Sequence, residues 1–244
     1  WFGLKKVHSC YTTRGLWHNT SLSKSVAVQN GTSITIPCHY HRAFRNNLKY
    51  WCKGRSWSMC KVMVRTTSKP RTEGVSITDV PSEEVFTITI TNLQVKDTDR
   101  YWCAVKRIGF TRSDLRTSME LLVTEDPPDL SVKENMVSVE EGVDVSIPCL
   151  YGDKLKNTEK KWCESGDLHS CQSAPTTPSP QEPLVTIADD GRGVFTVTLR
   201  KPNRKDTGWY WCSAGDMQAP VHINVTERLD RLHNITGELV ILAT

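Results

Sequence analysis

The stretch "KYWCKGRSWSMC" fills residues 49–60, and "KDTDRYWC" fills residues 96–103. The triplet Tyr-Trp-Cys therefore occurs at Tyr50-Trp51-Cys52 and again at Tyr101-Trp102-Cys103, and a third time at Tyr210-Trp211-Cys212. A near copy stands at Lys161-Trp162-Cys163. Whether these triplets do one job or several decides how the cysteines pair, and the pairing decides the fold.

Aligned on its cysteines, the chain repeats. Cys38, Cys52, Cys60 and Cys103 are matched by Cys149, Cys163, Cys171 and Cys212, with Cys52–Cys60 and Cys163–Cys171 at the same spacing. The flanking text repeats as well: "GTSITIPC" (31–38) against "GVDVSIPC" (142–149), and "KDTDRYWC" against "KDTGWYWC" (205–212). A repeat of this length means two homologous domains. The boundaries are an N-terminal segment of unclear status at 1–21, a first domain at 22–124, a Pro-containing connection "EDPPD" at 125–129, a second domain at 130–226, and a stalk or the start of a membrane segment at 227–244.

Each copy reads as all-β. Ile34, Ile36 and Cys38 alternate with Ser33, Thr35 and Pro37, and Phe86, Ile88 and Ile90 alternate with Thr87 and Thr89. Phe195, Val197 and Leu199 do the same in the second copy. A period of two buries one face of a strand. A β-sandwich of the immunoglobulin type requires Cys on strand B, Trp on strand C, and Cys on strand F two residues after a corner Tyr. Cys38, Trp51, Tyr101 and Cys103 meet the requirement in the first copy, as do Cys149, Trp162, Tyr210 and Cys212 in the second.

Strand parity then resolves the triplets. Successive strand side chains point to opposite faces. On strand F, Tyr101 and Cys103 point inward, so Trp102 points outward. On strand C, Trp51 points inward, so Tyr50 and Cys52 point outward. Of the three connectivities open to four cysteines, parity selects Cys38–Cys103 between the sheets and Cys52–Cys60 on the outer face. The same argument gives Cys149–Cys212 and Cys163–Cys171. Trp102 and the Cys52–Cys60 bridge should then be neighbours outside the sandwich. The fold class is all-β: two tandem V-type immunoglobulin-like sandwiches, each with an inter-sheet disulfide and an extra C–C′ disulfide.

Nine cysteines and four Asn-x-Ser/Thr sequons, at Asn19, Asn30, Asn224 and Asn234, favour an oxidising, extracellular setting with glycosylation at those asparagines. Cys10 is the odd cysteine: a free thiol, an intermolecular bridge, or part of a segment outside the folded unit. No apolar run is long enough to span a bilayer. The closing "GELVILAT" reads equally as the start of a membrane helix or as a short apolar terminus. No cofactor is expected. Zinc is disfavoured, because no Cys-x-x-Cys pair occurs and the second copy has Leu150 and Gly152 where the first has His39 and His41. The scattered histidines join no nucleophile motif, so no catalytic residue is assigned and the chain reads as a binding protein rather than an enzyme.

"TIPCHYHRAFRNNLKYWCKGRSWSMC" (35–60) together with "KDTDRYWC" resembles the V-type domains of the polymeric immunoglobulin receptor and of the leukocyte mono-immunoglobulin-like receptors. The resemblance covers about residues 22–124 and 130–226. It implies a type I receptor at the plasma membrane of immune or epithelial cells, with a signalling adaptor as a further partner through a membrane region. One departure stands out. Such domains usually begin strand D with an Arg that pairs with the Asp before the corner Tyr. Gly74 and Leu184 occupy that slot here, leaving Asp97 and Asp206 without it, and Arg71 is the available substitute. "SAPTTPSPQEP" (173–183) adds an exposed Pro-rich loop, with O-glycosylation as a second reading.

Sandwiches of this type bind through the loops at one end. In the first domain the B–C loop carries Arg42, Phe44, Arg45 and Lys49. The F–G loop carries Lys106, Arg107, Ile108, Phe110, Arg112 and Arg116. Up to Thr124 there are 19 Lys+Arg against 8 Asp+Glu, a net of +11; from Glu125 onward 12 against 19, a net of −7. These loops read either as a solvated basic surface with both Phe tucked back, or as a site for an acidic partner. The resemblance implies the Fc region of polymeric immunoglobulin as that partner. The charge motivates anionic phospholipid or glycan instead. Nucleic acid is not expected at an extracellular site without base-stacking spacing.

Overall fold

A computed structural model describes residues 25–67, 73–108, 113–167, 170–174 and 183–228. Asn19, Asn234, Cys10, Arg71, Phe110 and Arg112, and both terminal segments, lie outside the described residues.

The first domain is built from β1 (Ser25–Gln29), β2 (Ile34–His39), β3 (Lys49–Lys53), β4 (Lys61–Arg65), β5 (Val75–Val80), β6 (Val85–Ile90), β7 (Asp99–Val105) and β8 (Leu115–Thr124). The second repeats the plan with β9 (Leu130–Val132), β10 (Met136–Glu140), β11 (Val145–Tyr151), β12 (Lys160–Glu164), β13 (Gln172–Ser173), β14 (Val185–Asp189), β15 (Val194–Leu199), β16 (Gly208–Ala214) and β17 (Met217–Thr226). In the first domain β2-β6-β5 faces the sheet β1-β8-β7-β3-β4. In the second, β9-β11-β15-β14 faces the sheet that holds β13-β12-β16-β17, with β10 beside β17. Both are immunoglobulin-like sandwiches.

The alternating residues close the core as expected. Ile36, Phe86, Ile88 and Leu121 are buried, each worth about 1.5–3 kcal/mol of transfer free energy. Trp51 stacks on Tyr101 at 5.2 Å between ring centres, and Trp162 on Tyr210 at 5.0 Å. The Tyr101 hydroxyl donates to the Asp97 carbonyl at 2.7 Å and that of Tyr210 to Asp206 at 2.8 Å, which pins the turn before strand F. Burial raises both phenol pKa values well above their ordinary range. All four disulfides pair as parity requires: Cys38–Cys103, Cys52–Cys60, Cys149–Cys212 and Cys163–Cys171.

Parity holds for the outer face too. Tyr50, Cys52 and Ala104 form a cluster separate from the core, with Trp57, Cys60 and Trp102 around it. Trp102 donates its indole N–H to the Gly54 carbonyl at 2.8 Å and meets Trp57 edge-on at 5.7 Å. Gly54 is required there: a Cβ would fall 2.8 Å from the Met59 carbonyl oxygen.

The two domains are joined along an edge and across a face. Ser25 pairs with Met217, so the two larger sheets run on as one of ten strands. The Ser25 N–H donates to the Asp216 carbonyl at 3.1 Å, and the Asn135 side chain donates to the Thr35 carbonyl at 3.0 Å. Cys163 and Trp211, on the outer face of the second domain, join the buried cluster of the first. Trp209, Ser213 and Gln218 on the same face are also buried. Opposite them, Ala27 and Pro37 of the first domain are buried, although their counterparts Ser138 and Pro148 are exposed. The β1–β2 side of the first domain thus covers the outer β12-β16-β17 face of the second.

Candidate functional site

The B–C and F–G loops of the first domain are clasped. The Asn47 side chain donates to the Lys106 carbonyl at 2.8 Å, and the Lys106 N–H donates to the Leu48 carbonyl at 2.8 Å. A short 3-10 turn over Arg42–Phe44 shapes the B–C loop, with the His41 side chain accepting from the Ala43 N–H. Arg42 and Arg45 are exposed beside it. Across the clasp, Lys106 is exposed, Arg107 half-buried, and Ile108 is 87% exposed. One end of the domain therefore presents four cations and a bare apolar side chain.

Two sequence-assigned residues sit elsewhere. Phe44 turns back, half-buried against the core and edge-on to His41 at 6.5 Å. Lys49 is fully buried. It is the first residue of β3, and its ammonium lies 2.9 Å from Asp79, over the Tyr40 ring at 4.1 Å, and donates to the Arg45 carbonyl at 2.5 Å. Lys49 belongs to the interior, not to the loop surface on which the sequence places it, because a buried ammonium is stable only when paired. The same arrangement recurs in the second domain, where Lys160 lies 3.4 Å from Asp189 and 4.1 Å over Tyr151.

Asp114 is a site residue that the sequence reading missed. Its carboxylate accepts from the Tyr50 hydroxyl at 2.6 Å and the Arg107 N–H at 3.1 Å, and Lys106 lies at 3.6 Å. Burial and this hydrogen bond together push the Tyr50 phenol well above its ordinary pKa. Asp114 ties the F–G loop to strand β3. The signal for it was a lone acid among four cations in residues 105–117. Arg116 does not join the loop end. It lies over Trp57 at 4.6 Å, on the outer face.

The slot vacated at Gly74 is a cleft of about 420 Å³ lined by Gly74, Asp97, Trp51 and Tyr101. The Asp97 carboxylate accepts from the Gln94 N–H at 3.0 Å, and that of Asp206 from the Asn203 N–H at 2.7 Å. Both carboxylates cap a short turn. Of the sequons, Asn30 donates to Glu125 at 3.0 Å and Asn224 to Ser138 at 3.2 Å. Among the described residues no group of three or more His, Cys, Asp or Glu could hold a metal ion.

Comparison with known proteins agrees with the two immunoglobulin-like domains. The immunoglobulin V-set domain family matches residues 22–124 and 132–227. The polymeric immunoglobulin receptor of Mus musculus is 28% identical over 81% of this chain and 27% of its own length. CMRF35-like molecule 1 of Homo sapiens is 32% identical over 52% of this chain and 40% of its own length. The crystal structure of a teleost fish polymeric Ig receptor ectodomain is 40% identical, covering 84% of this chain and 96% of that one, with a TM-score of 0.40. The chain thus spans little more than a quarter of the curated receptors it matches over both domains. With both copies matched, the chain belongs to the immunoglobulin V-set family.

Proposed function

We propose that the chain is the ligand-binding ectodomain of a cell-surface immune receptor of type I, and that its first domain binds the Fc region of polymeric immunoglobulin for uptake, transport or signalling. The observation that carries this reading is the clasp between the B–C and F–G loops, which brings Arg42, Arg45, Lys106 and Arg107 to the same end of the domain as the exposed Ile108. Cations around an apolar centre suit a protein surface with acidic rims. Phe110 and Arg112 extend the same loop and are assigned to the site by sequence. Similarity to polymeric immunoglobulin receptors supports the choice of ligand. A glycosylated extracellular surface, with carbohydrate at Asn30, fits the four disulfides.

Anionic phospholipid or glycan is the second reading, favoured by the net charge of +11 up to Thr124. The retraction of Phe44 counts against it, since one of the two apolar tips that would enter a membrane is packed on the core. Surface plasmon resonance against polymeric immunoglobulin, with the double variant Arg42→Glu/Arg45→Glu, tests the first reading. Binding that the double variant abolishes supports it; absence of binding by the native chain removes it.

A further inference from the structure

Within this chain, one sandwich already sits on another through unlike surfaces. The β1–β2 side of the first domain covers the outer β12-β16-β17 face of the second. Such an interface is heterologous, and among the described residues it leaves the reciprocal surfaces of the two homologous domains unused. Those surfaces are the outer β3-β7-β8 face of the first domain and the β10–β11 side of the second.

Both unused surfaces have the character of contact sites. On the first domain, Trp57 and Trp102 are only half-buried, with Arg116 over Trp57 and Met59 68% exposed beside them. Trp and Arg are the residues that dominate binding energy at protein interfaces. On the second domain, Pro148 is exposed where Pro37 is buried, and Met136 and Leu150 are 55% and 40% exposed. The charges are complementary. Arg55, Lys61 and Arg116 are exposed around the first surface, and Glu140, Asp144 and Asp190 around the second.

We propose that a second copy of this chain docks the β10–β11 side of its second domain on the Trp57–Trp102 face of the first domain, repeating between molecules the contact made within one. The internal contact also specifies the pairing. Gly166 lies against His39, so close that a Cβ would fall 3.0 Å from the ring. The positions homologous to that pair are Arg55 and Leu150. The intermolecular junction is more polar than its template. Arg100 and Glu120 form an ion pair at 2.6 Å where the covered face has Trp209 tilted against His222 at 4.9 Å. A polar face suits reversible association, whereas the apolar face stays permanently covered.

Sedimentation velocity on the full chain, over about 1 to 100 μM, should show reversible, salt-weakened association. Leu150→Arg places a cation against Arg55, and Arg55→Glu places a carboxylate against the acidic second domain. Each should weaken association about ten-fold. Mixing the two variants should restore it, because the introduced cation meets the introduced carboxylate. Both positions are exposed, so circular dichroism should be unchanged. A strictly monomeric chain would overturn the proposal. So would association that ignores Leu150→Arg, which would indicate like faces pairing, or a mixture that restores nothing.

Discussion

The ammonium of Lys49, with no exposed surface, lies 2.9 Å from the Asp79 carboxylate. The pair joins the first residue of β3 to β5 on the opposite sheet, so it locks the two layers of the sandwich near the loop end. Tyr40 completes it, donating to Asp79 at 2.7 Å. Removing one partner of a buried pair leaves the other uncompensated. Lys49→Met should therefore destabilise the first domain by about 3 kcal/mol, the low end of that range because Asp79 keeps some solvent contact. Chemical denaturation measures it, and a loss under about 1 kcal/mol would show the pair to be dispensable.

Asp114 holds the F–G loop without occupying its exposed tip. Asp114→Ala leaves the Tyr50 hydroxyl unsatisfied and releases Arg107, at a cost of about 1–3 kcal/mol. Ligand affinity should fall even though Arg42 and Arg45 are intact. Asp114→Asn, which keeps an acceptor for Tyr50, should recover most of the stability.

The outer bridge supports the aromatic plate more than the core. Cys52→Ala/Cys60→Ala should cost about 2.5 kcal/mol in the chain-entropy view, against about 4 kcal/mol for the Cys38–Cys103 pair. Near-ultraviolet circular dichroism should change with the first double variant, because Trp57 and Trp102 lean on that bridge.

Acid should loosen the joint between the domains. His222 lies 4.9 Å from Trp209 on the covered face. Burial lowers its pKa below 6.5, and Glu83 of the first domain offsets this in part. A histidine with a lowered folded pKa takes up its proton more readily when unfolded or undocked. Its contribution is therefore unchanged above pH 6.5 and turns unfavourable as pH falls through that value. Hydrogen exchange at Trp209 and Trp211 should rise as pH falls from about 7 to 5 once corrected for the intrinsic pH dependence of exchange. His222→Gln should flatten that rise, and an unchanged profile would place the joint outside the control of His222.

Much of this was legible in the sequence. Parity alone assigns the disulfides and turns Trp102 outward, because the period of two is enforced by the buried face of each strand. The burial of Lys49 was not legible. Its partner Asp79 is thirty residues away on another sheet, and "NNLKY" gives no sign of where the loop ends and the strand begins. Phe44 was ambiguous for a similar reason, since one aromatic in a polar loop has no period to fix its direction. The covering of the second domain's outer face left a fainter trace. Trp209 and His222 replace Arg100 and Glu120 at matching positions, so an ion pair gave way to two rings. Read alone, neither change names the surface that covers them.

The central claim is that the clasped loops of the first domain bind polymeric immunoglobulin. The most direct measurement sets the native chain and Arg42→Glu/Arg45→Glu against polymeric immunoglobulin and phosphatidylserine liposomes, side by side, at two salt concentrations. Protein contacts with an apolar centre survive moderate salt, while attraction to a charged bilayer is screened within about 10 Å at 0.1 M. The account predicts salt-tolerant immunoglobulin binding that the double variant abolishes. Salt-sensitive liposome binding, with none to immunoglobulin, would contradict it.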